Sequence, residues 1–261
     1  MTPRIKNIDD QNLAEIANVA KELVEWCHKK KENIEDTIAI GKAMSRISFV
    51  KPSTKAEMTY LLAKSNFEFE LFEECNQILE DDKIIENDFE NFSDDLKLRY
   101  LKLRGNVNYI LGEYDNAQKY LEQAIDLAQK QNSTNRGSIL LTMSRVKAEL
   151  NRHSAMDWAT NAFDEMDDNA RALLNLVYIY IRNDEPQKAM VFLKNVGQDL
   201  EDQVLEALRL TFWSYCNLQS GQIEQSLDYT RKVVGILDGM KRDKLDEDIL
   251  LAYYVSGMKN V

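Results

Sequence analysis

The chain is poor in every residue that punctuates, crosslinks or ligates. Nine Gly and three Pro are scattered over 261 residues, far fewer than an all-β chain with a turn about every ten residues requires. Three Cys, at 27, 75 and 216, are too dispersed for a ligand cluster and odd in number, which argues against a disulfide framework and for a reducing compartment. Two His are present; His28 adjoins Cys27, but neighbouring helical residues diverge by about 100° and do not converge on one ion. His153 falls at a turn between helices, in a slot suited to an aromatic. The opening MTPRIKNIDDQNL has no apolar targeting core, and the most apolar uncharged run, ALLNLVYIYI at 172–181, is about half the length that spans a bilayer. The expectation is a soluble, cytoplasmic protein without a membrane partner. No glycine-rich phosphate loop, nucleophile elbow, HExxH or CxxC occurs, so no catalytic residue, cofactor or metal is assigned. A formal charge of −11 opposes nucleic acid unless a basic face reverses it locally.

What is present is helix-forming. Leu, Ala, Glu, Lys and Gln dominate, and 44% of the residues are apolar, enough for a large core. In LGEYDNAQKYLEQAIDLA, Leu111 to Ala128, apolar and small residues recur at steps of three and four, which is helical spacing. Ala117 and Ala124 stand inward where Leu would bury more area, which predicts a second helix lying very close. The same grammar returns along the chain, with small positions at Cys75, Ala117, Ala155, Ala189 and Ser226, separated by 42, 38, 34 and 37 residues. Such spacing marks a solenoid whose hairpins each need a neighbour to cover their apolar face.

The residues resemble the tetratricopeptide repeat (TPR) family, whose unit of about 34 residues is a pair of antiparallel helices. The best match, Leu101 to Leu127, places Gly105 at the small position of the first helix, Gly112 and Tyr114 at the turn, and Ala117 and Ala124 in the second helix. The family's closing Pro is absent throughout, and Met143 stands where a small residue is expected. The resemblance implies an all-α, right-handed α-solenoid of about 12–13 helices. Residues 1–50 form a divergent helix pair (Leu13–Trp26 and Ile34–Phe49), 54–240 hold five repeats, and 241–261 hold a capping helix (Leu245–Met258), all in one continuous superhelical domain. Pro52 blocks helix continuation, and Thr54 with Glu57 reads as a capping box. The acidic stretch 80–95 reads as a solvated loop or an acidic docking strip. Trp26, Trp158 and Trp213 sit at apolar helical positions and read as core.

In this family the first helices line a concave groove, and its positions carried onto this sequence include Tyr60, Lys64, Arg99, Lys102, Asn106, Tyr109, Ser144, Lys147, Arg171, Leu174, Tyr178, Arg182, Thr211 and Tyr215. The full set holds six basic and two acidic residues, a surplus of positive charge within an acidic chain. Lys102 and Asn106 resemble half of the carboxylate clamp of chaperone-binding TPR domains; Arg171 and Asn175 stand where that clamp has two basic residues. The implied function is a non-enzymatic scaffold or adaptor holding an acidic or C-terminal peptide of a partner protein. The chain also resembles the repeat domains of cytoplasmic peptide-pheromone receptors of Gram-positive bacteria and their phages, although 7–49 offers no basic recognition helix. The alternative is thus a peptide sensor that acts on a protein; a helical-repeat RNA binder or enzyme is the third class. The apolar ILLAYYVSGM near the C-terminus suits either a cap or a homo-oligomer contact.

Overall fold

In the computed structural model the described residues are 52–80, 92–150, 152–166, 169–197 and 200–239, with Ala39 and Phe89 as isolated positions. The expected helices at Leu13–Trp26 and Leu245–Met258, along with Trp26 and His28, lie outside them, as does Ile34–Phe49 apart from Ala39. Ten helices make up the described chain: α1 (Pro52–Glu68), α2 (Phe72–Glu80), α3 (Asp94–Ile110), α4 (Tyr114–Lys130), α5 (Arg136–Leu150), α6 (Arg152–Glu165), α7 (Asn169–Arg182), α8 (Pro186–Asn195), α9 (Gln203–Gln219) and α10 (Ile223–Gly239). The fold is all-α, a helical solenoid of paired helices. By contact density the chain divides into two units at 103/104, within α3.

In the unit from Arg104 onward, α5 packs on α6, α7 on α8 and α9 on α10; first helices also touch the first helix of the next pair, α5 on α7 and α7 on α9. One core runs through α5–α10, from Ala148 to Val233. The small positions explain the closeness. Ala117, Ala155 and Ala189 are fully buried, as is Ala124 one repeat position further along α4. A side chain added at Gly105 would come within 2.5 Å of Leu121 Cδ2, and one at Gly137 within 2.7 Å of Met166 Cγ. Helix axes approach there because no Cβ intervenes. Met143 is also fully buried, so this larger residue keeps its inward place.

The hairpin turns share one device. Glu70, Gly112, Asp184 and Gly221 each take a left-handed backbone just after a first helix, with φ between 61° and 80°. The next residue's N–H then reaches back to the helix: Leu71 to Asn66 O, Glu113 to Asn108 O and Gln222 to Asn217 O, each at 2.9 Å. This closes the orphaned carbonyls of the helix end. In those three hairpins the accepting residue is a buried Asn whose amide also donates to the carbonyl one turn earlier, Asn66 to Leu62, Asn108 to Arg104 and Asn217 to Trp213. The recurring Asn, four residues before the turn, went unnoticed in the sequence reading.

Helix starts follow ordinary capping chemistry. Ser93 Oγ accepts from Leu96 N at 3.3 Å before α3, and Asp202 accepts from Val204 and Leu205 N before α9. α1 begins at Pro52, two residues before the start expected from Thr54 and Glu57. Proline's fixed φ suits a first helical position, where its missing N–H costs no hydrogen bond.

In the unit before 104, α1 packs on α2, and Phe67 meets Phe72 edge to face. Within the acidic stretch, Phe92 is buried, with Phe89 against both Phe92 and Tyr100. Part of that stretch is therefore an aromatic anchor and not a solvated strip. Trp158 and Trp213 are half-buried, less enclosed than their helical positions led one to expect. His153 is exposed near the start of α6.

Candidate functional site

Three successive first helices, α3, α5 and α7, bring a polar cluster together in the unit beyond 104. Tyr178 and Arg182 stand one turn apart on α7, so both project to the same side. Glu149, near the end of α5, meets them both: Tyr178 OH donates to Oε1 at 3.1 Å and Arg182 Nη2 donates to Oε2 at 2.6 Å. The buried Tyr109 phenol interacts electrostatically with both Tyr178 and Glu149. Tyr178 commits its proton to Glu149, and Arg182 holds the other carboxylate oxygen. Tyr114 flanks the cluster, its ring centroid 5.8 Å from that of Tyr109.

The electrostatics follow from burial beside a carboxylate. Burial pushes the Tyr109 phenol well above its ordinary range, Tyr178 and Glu149 add to the rise, and Arg145 opposes it. Tyr178 is raised chiefly by burial as well, with Glu149 adding to the rise and Tyr109, Arg182 and Arg145 pulling the other way. For Arg182, burial lowers the pKa, but Tyr178 and Glu149 more than offset it, so the guanidinium is held charged. Both phenols thus stay protonated and Arg182 stays cationic across the physiological range. Arg182 Nε is enclosed within the protein, so the guanidinium meets Glu149 through Nη2.

A second polar bridge lies beneath. Arg145 Nε donates to Asn175 Oδ1 at 3.0 Å, Asn175 Nδ2 to Ser144 Oγ at 2.8 Å, and Ser144 Oγ to the Leu141 carbonyl at 2.7 Å. All three side chains are buried, so this bridge clamps α5 to α7.

The sequence-derived groove positions separate into groups. Tyr109, Tyr178 and Arg182 meet in the cluster. Ser144 and Asn175 belong to the buried bridge, and Leu174 lies in the core. Asn106 is wholly buried, which removes its amide from the reach of a ligand carboxylate and takes the clamp-like pairing with Lys102 away from the surface. Thr211 turns its hydroxyl back to the Ala207 carbonyl at 2.8 Å. Lys147 and Arg171 are half-exposed, and Tyr215 is exposed. In the unit before 104, Tyr60 is buried beneath the Arg99 guanidinium, 5.1 Å from its ring centroid. Arg99 pairs with Asp95 at 2.9 Å, Lys64 pairs with Glu68 at 3.7 Å, and Lys102 is half-exposed. Glu149 and Arg145 were missed, because their partners lie about thirty residues away, beyond any local pattern. Glu149 also reduces the positive surplus anticipated for the first helices. Among the described residues, no three His, Cys, Asp or Glu gather as a metal-binding group, and no helix is long and apolar enough to cross a membrane.

Comparison with known proteins places this architecture. Residues 99–131 match the tetratricopeptide repeat family. No curated protein sequence matches the chain. Among solved structures, the apo form of RapI superposes with a TM-score of 0.66 at 13% identity, covering 90% of this chain and 86% of that one. NprR in complex with its cognate peptide NprX gives 0.57 at 12% identity, covering 86% and 68%. PilF of Pseudomonas aeruginosa gives 0.58 at 14% identity, covering 88% and 96%. At such identities the likeness is one of fold. Residues 99–131 thus form a recognisable tetratricopeptide repeat, within a chain whose fold is that of TPR-like helical-repeat proteins.

Proposed function

We propose that the chain is a non-enzymatic interaction module that holds an acidic or C-terminal peptide segment of a partner protein along the first-helix faces of the unit beyond 104. The observation that carries this reading is the Tyr109–Tyr178–Glu149–Arg182 cluster: a cation held charged beside protonated phenols, in a unit where Lys147 and Arg171 are half-exposed and Tyr215 is exposed. A carboxylate entering there gains charge-assisted bonds from Arg182 and Arg171, and the tyrosines supply flat anchors. The test is fluorescence anisotropy with labelled Asp- and Glu-rich peptides bearing a free C-terminal carboxylate, at low salt. The protein should bind, and Arg171→Glu with Arg182→Glu should weaken binding by about tenfold or more. Equal affinity for both proteins removes this face from the function.

A second reading, an intracellular peptide sensor acting on another protein, is supported by the likeness to NprR, whose solved complex contains its cognate peptide. A sensor closing on one short peptide is stabilised sharply by that peptide and by few others. Thermal-shift measurements over a broad set of short uncharged and charged peptides separate the two. A large, sequence-specific rise favours the sensor, and a graded response to acidic peptides favours the adaptor.

A further inference from the structure

A pocket of about 530 Å³ opens between α8, α9 and α10, apart from the first-helix cluster. Its walls come from Leu193 and Lys194 at the end of α8, Gly197 just beyond, Glu206, Arg209, Leu210 and Trp213 on α9, and Tyr229 and Lys232 on α10. The volume is in the range of small-molecule sites. Two features give it chemical character.

The first is an aromatic wall. Trp213 and Tyr229 stack with ring centroids 6.0 Å apart and planes 18° apart, an aromatic pair joining two helices. Together with Leu193 and Leu210 it makes one side apolar. The second is charge. Lys194, Arg209 and Lys232 line the pocket with a single carboxylate, Glu206; counting Asp228 beside Lys232, the surplus is one positive charge in a chain of −11. Arg209 and Glu206 satisfy each other through a two-point fork, Nε to Oε2 at 2.8 Å and Nη2 to Oε1 at 2.6 Å, so Arg209 acts as fixed wall. The two lysines form the adaptable part. Lys194 is exposed on α8, and Lys232, exposed on α10, is held over Tyr229 at 5.5 Å while touching Asp228 at 2.8 Å. An ammonium carries three donors, so neither lysine is saturated by these contacts.

From this geometry we propose that the pocket binds a small amphipathic anion, one carboxylate or phosphate group on a flat ring, with the ring against the Trp213–Tyr229 wall and the anionic group between Lys194 and Lys232. The anion is stabilised by cations from two different helices, and the ring removes apolar area from water. An apolar ligand leaves the lysines unused, and a bare inorganic anion leaves the wall unused. The inference is independent of peptide binding at the first-helix face.

Isothermal titration calorimetry on the full chain tests it, with 2-naphthoate and adenosine monophosphate as the carboxylate and phosphate probes, naphthalene as the neutral ring and inorganic phosphate as the bare anion. At least one ring anion should bind below about 1 mM, and neither control should approach it. Lys194→Glu with Lys232→Glu, two exposed positions whose replacement leaves the core untouched, should weaken that binding by about tenfold or more. Trp213→Leu, checked by circular dichroism for an unchanged helix content, should weaken it as well. Which of the two probes binds identifies the anionic group. The proposal fails if no ring anion binds, if inorganic phosphate binds as well as the ring anions, or if the lysine reversal leaves affinity unchanged.

Discussion

Arg182 and Glu149, thirty-three residues apart in the chain, meet through an Nη2 to Oε2 hydrogen bond of 2.6 Å that ties α7 to α5. The contact neutralises part of the positive charge the first helices present, and it positions the guanidinium that remains. Removing the carboxylate separates these roles. Glu149→Gln should cost about 1 kcal/mol of stability, kept small because Arg182 still reaches water. Its affinity for the acidic peptides should rise, since Arg182 then lacks an internal counterion. Urea denaturation and peptide anisotropy measure the two effects, and a fall in affinity would show that the ordering of Arg182 matters more than its charge.

Close helix approach gives a second prediction. Gly105→Ala gains helix propensity of about 1 kcal/mol but drives a methyl to within 2.5 Å of the fully buried Leu121. Overpacking of this kind costs about 1–3 kcal/mol, since the fully buried Leu121 has to shift to make room. The variant should unfold at lower urea concentration than the parent; a higher midpoint would mean that α3 and α4 can separate without loss.

The turn positions reverse that expectation. Asp184 holds a left-handed backbone at φ 61°, and Asp184→Gly should stabilise the chain by roughly 0.5–1 kcal/mol by relieving it. Gly112, at φ 80° with open space around it, should lose about 1 kcal/mol on conversion to Ala. Thermal melting of the two variants should shift in opposite directions.

Alkaline pH should weaken the fold through Tyr109 and Tyr178. Both phenols have folded pKa values raised above the ordinary 10.0, burial being the main cause. A raised pKa means stability that is fully present below pH 10 and is lost as pH climbs towards the folded values. Tyr109→Phe with Tyr178→Phe should flatten the decline measured by urea denaturation between about pH 9 and 11. A decline of the same steepness in the double variant would place its origin elsewhere.

Thiol chemistry offers a further check. Cys75 and Cys216 are both free and buried, and burial raises the Cys216 thiol to about 11. Since the thiolate is the reactive form, iodoacetamide at pH 8 should leave Cys216 unmodified in the native protein and modify it rapidly in urea, as read by peptide mass mapping.

Local pattern was a sound guide wherever the relevant neighbour was one helix away. The small positions at Cys75, Ala117, Ala155, Ala189 and Ser226 are all buried, because a spacing of three and four defines a helix face and a small residue on that face defines a close contact. It was a poor guide to which first-helix side chains stay accessible. Asn106 and Leu174 satisfied the positional rule and are enclosed by neighbouring helices, whereas Glu149 fell outside the rule and sits at the heart of the cluster. Trp213, expected in the core from its helical position, does pack against it, and it also stacks on Tyr229 at the wall of a pocket.

The amino-acid order alone determined the helices, their pairing and the repeat, because backbone hydrogen bonding, chain reversal and close packing depend on residues near one another in the chain. The tertiary structure decided how charge and aromatic groups combine: Glu149 with Arg182, Arg145 with Asn175, Trp213 with Tyr229. Those partners stand on different helices, so their meeting depends on how the helices rotate and stack, a quantity set by the whole packed core and by no single stretch of residues.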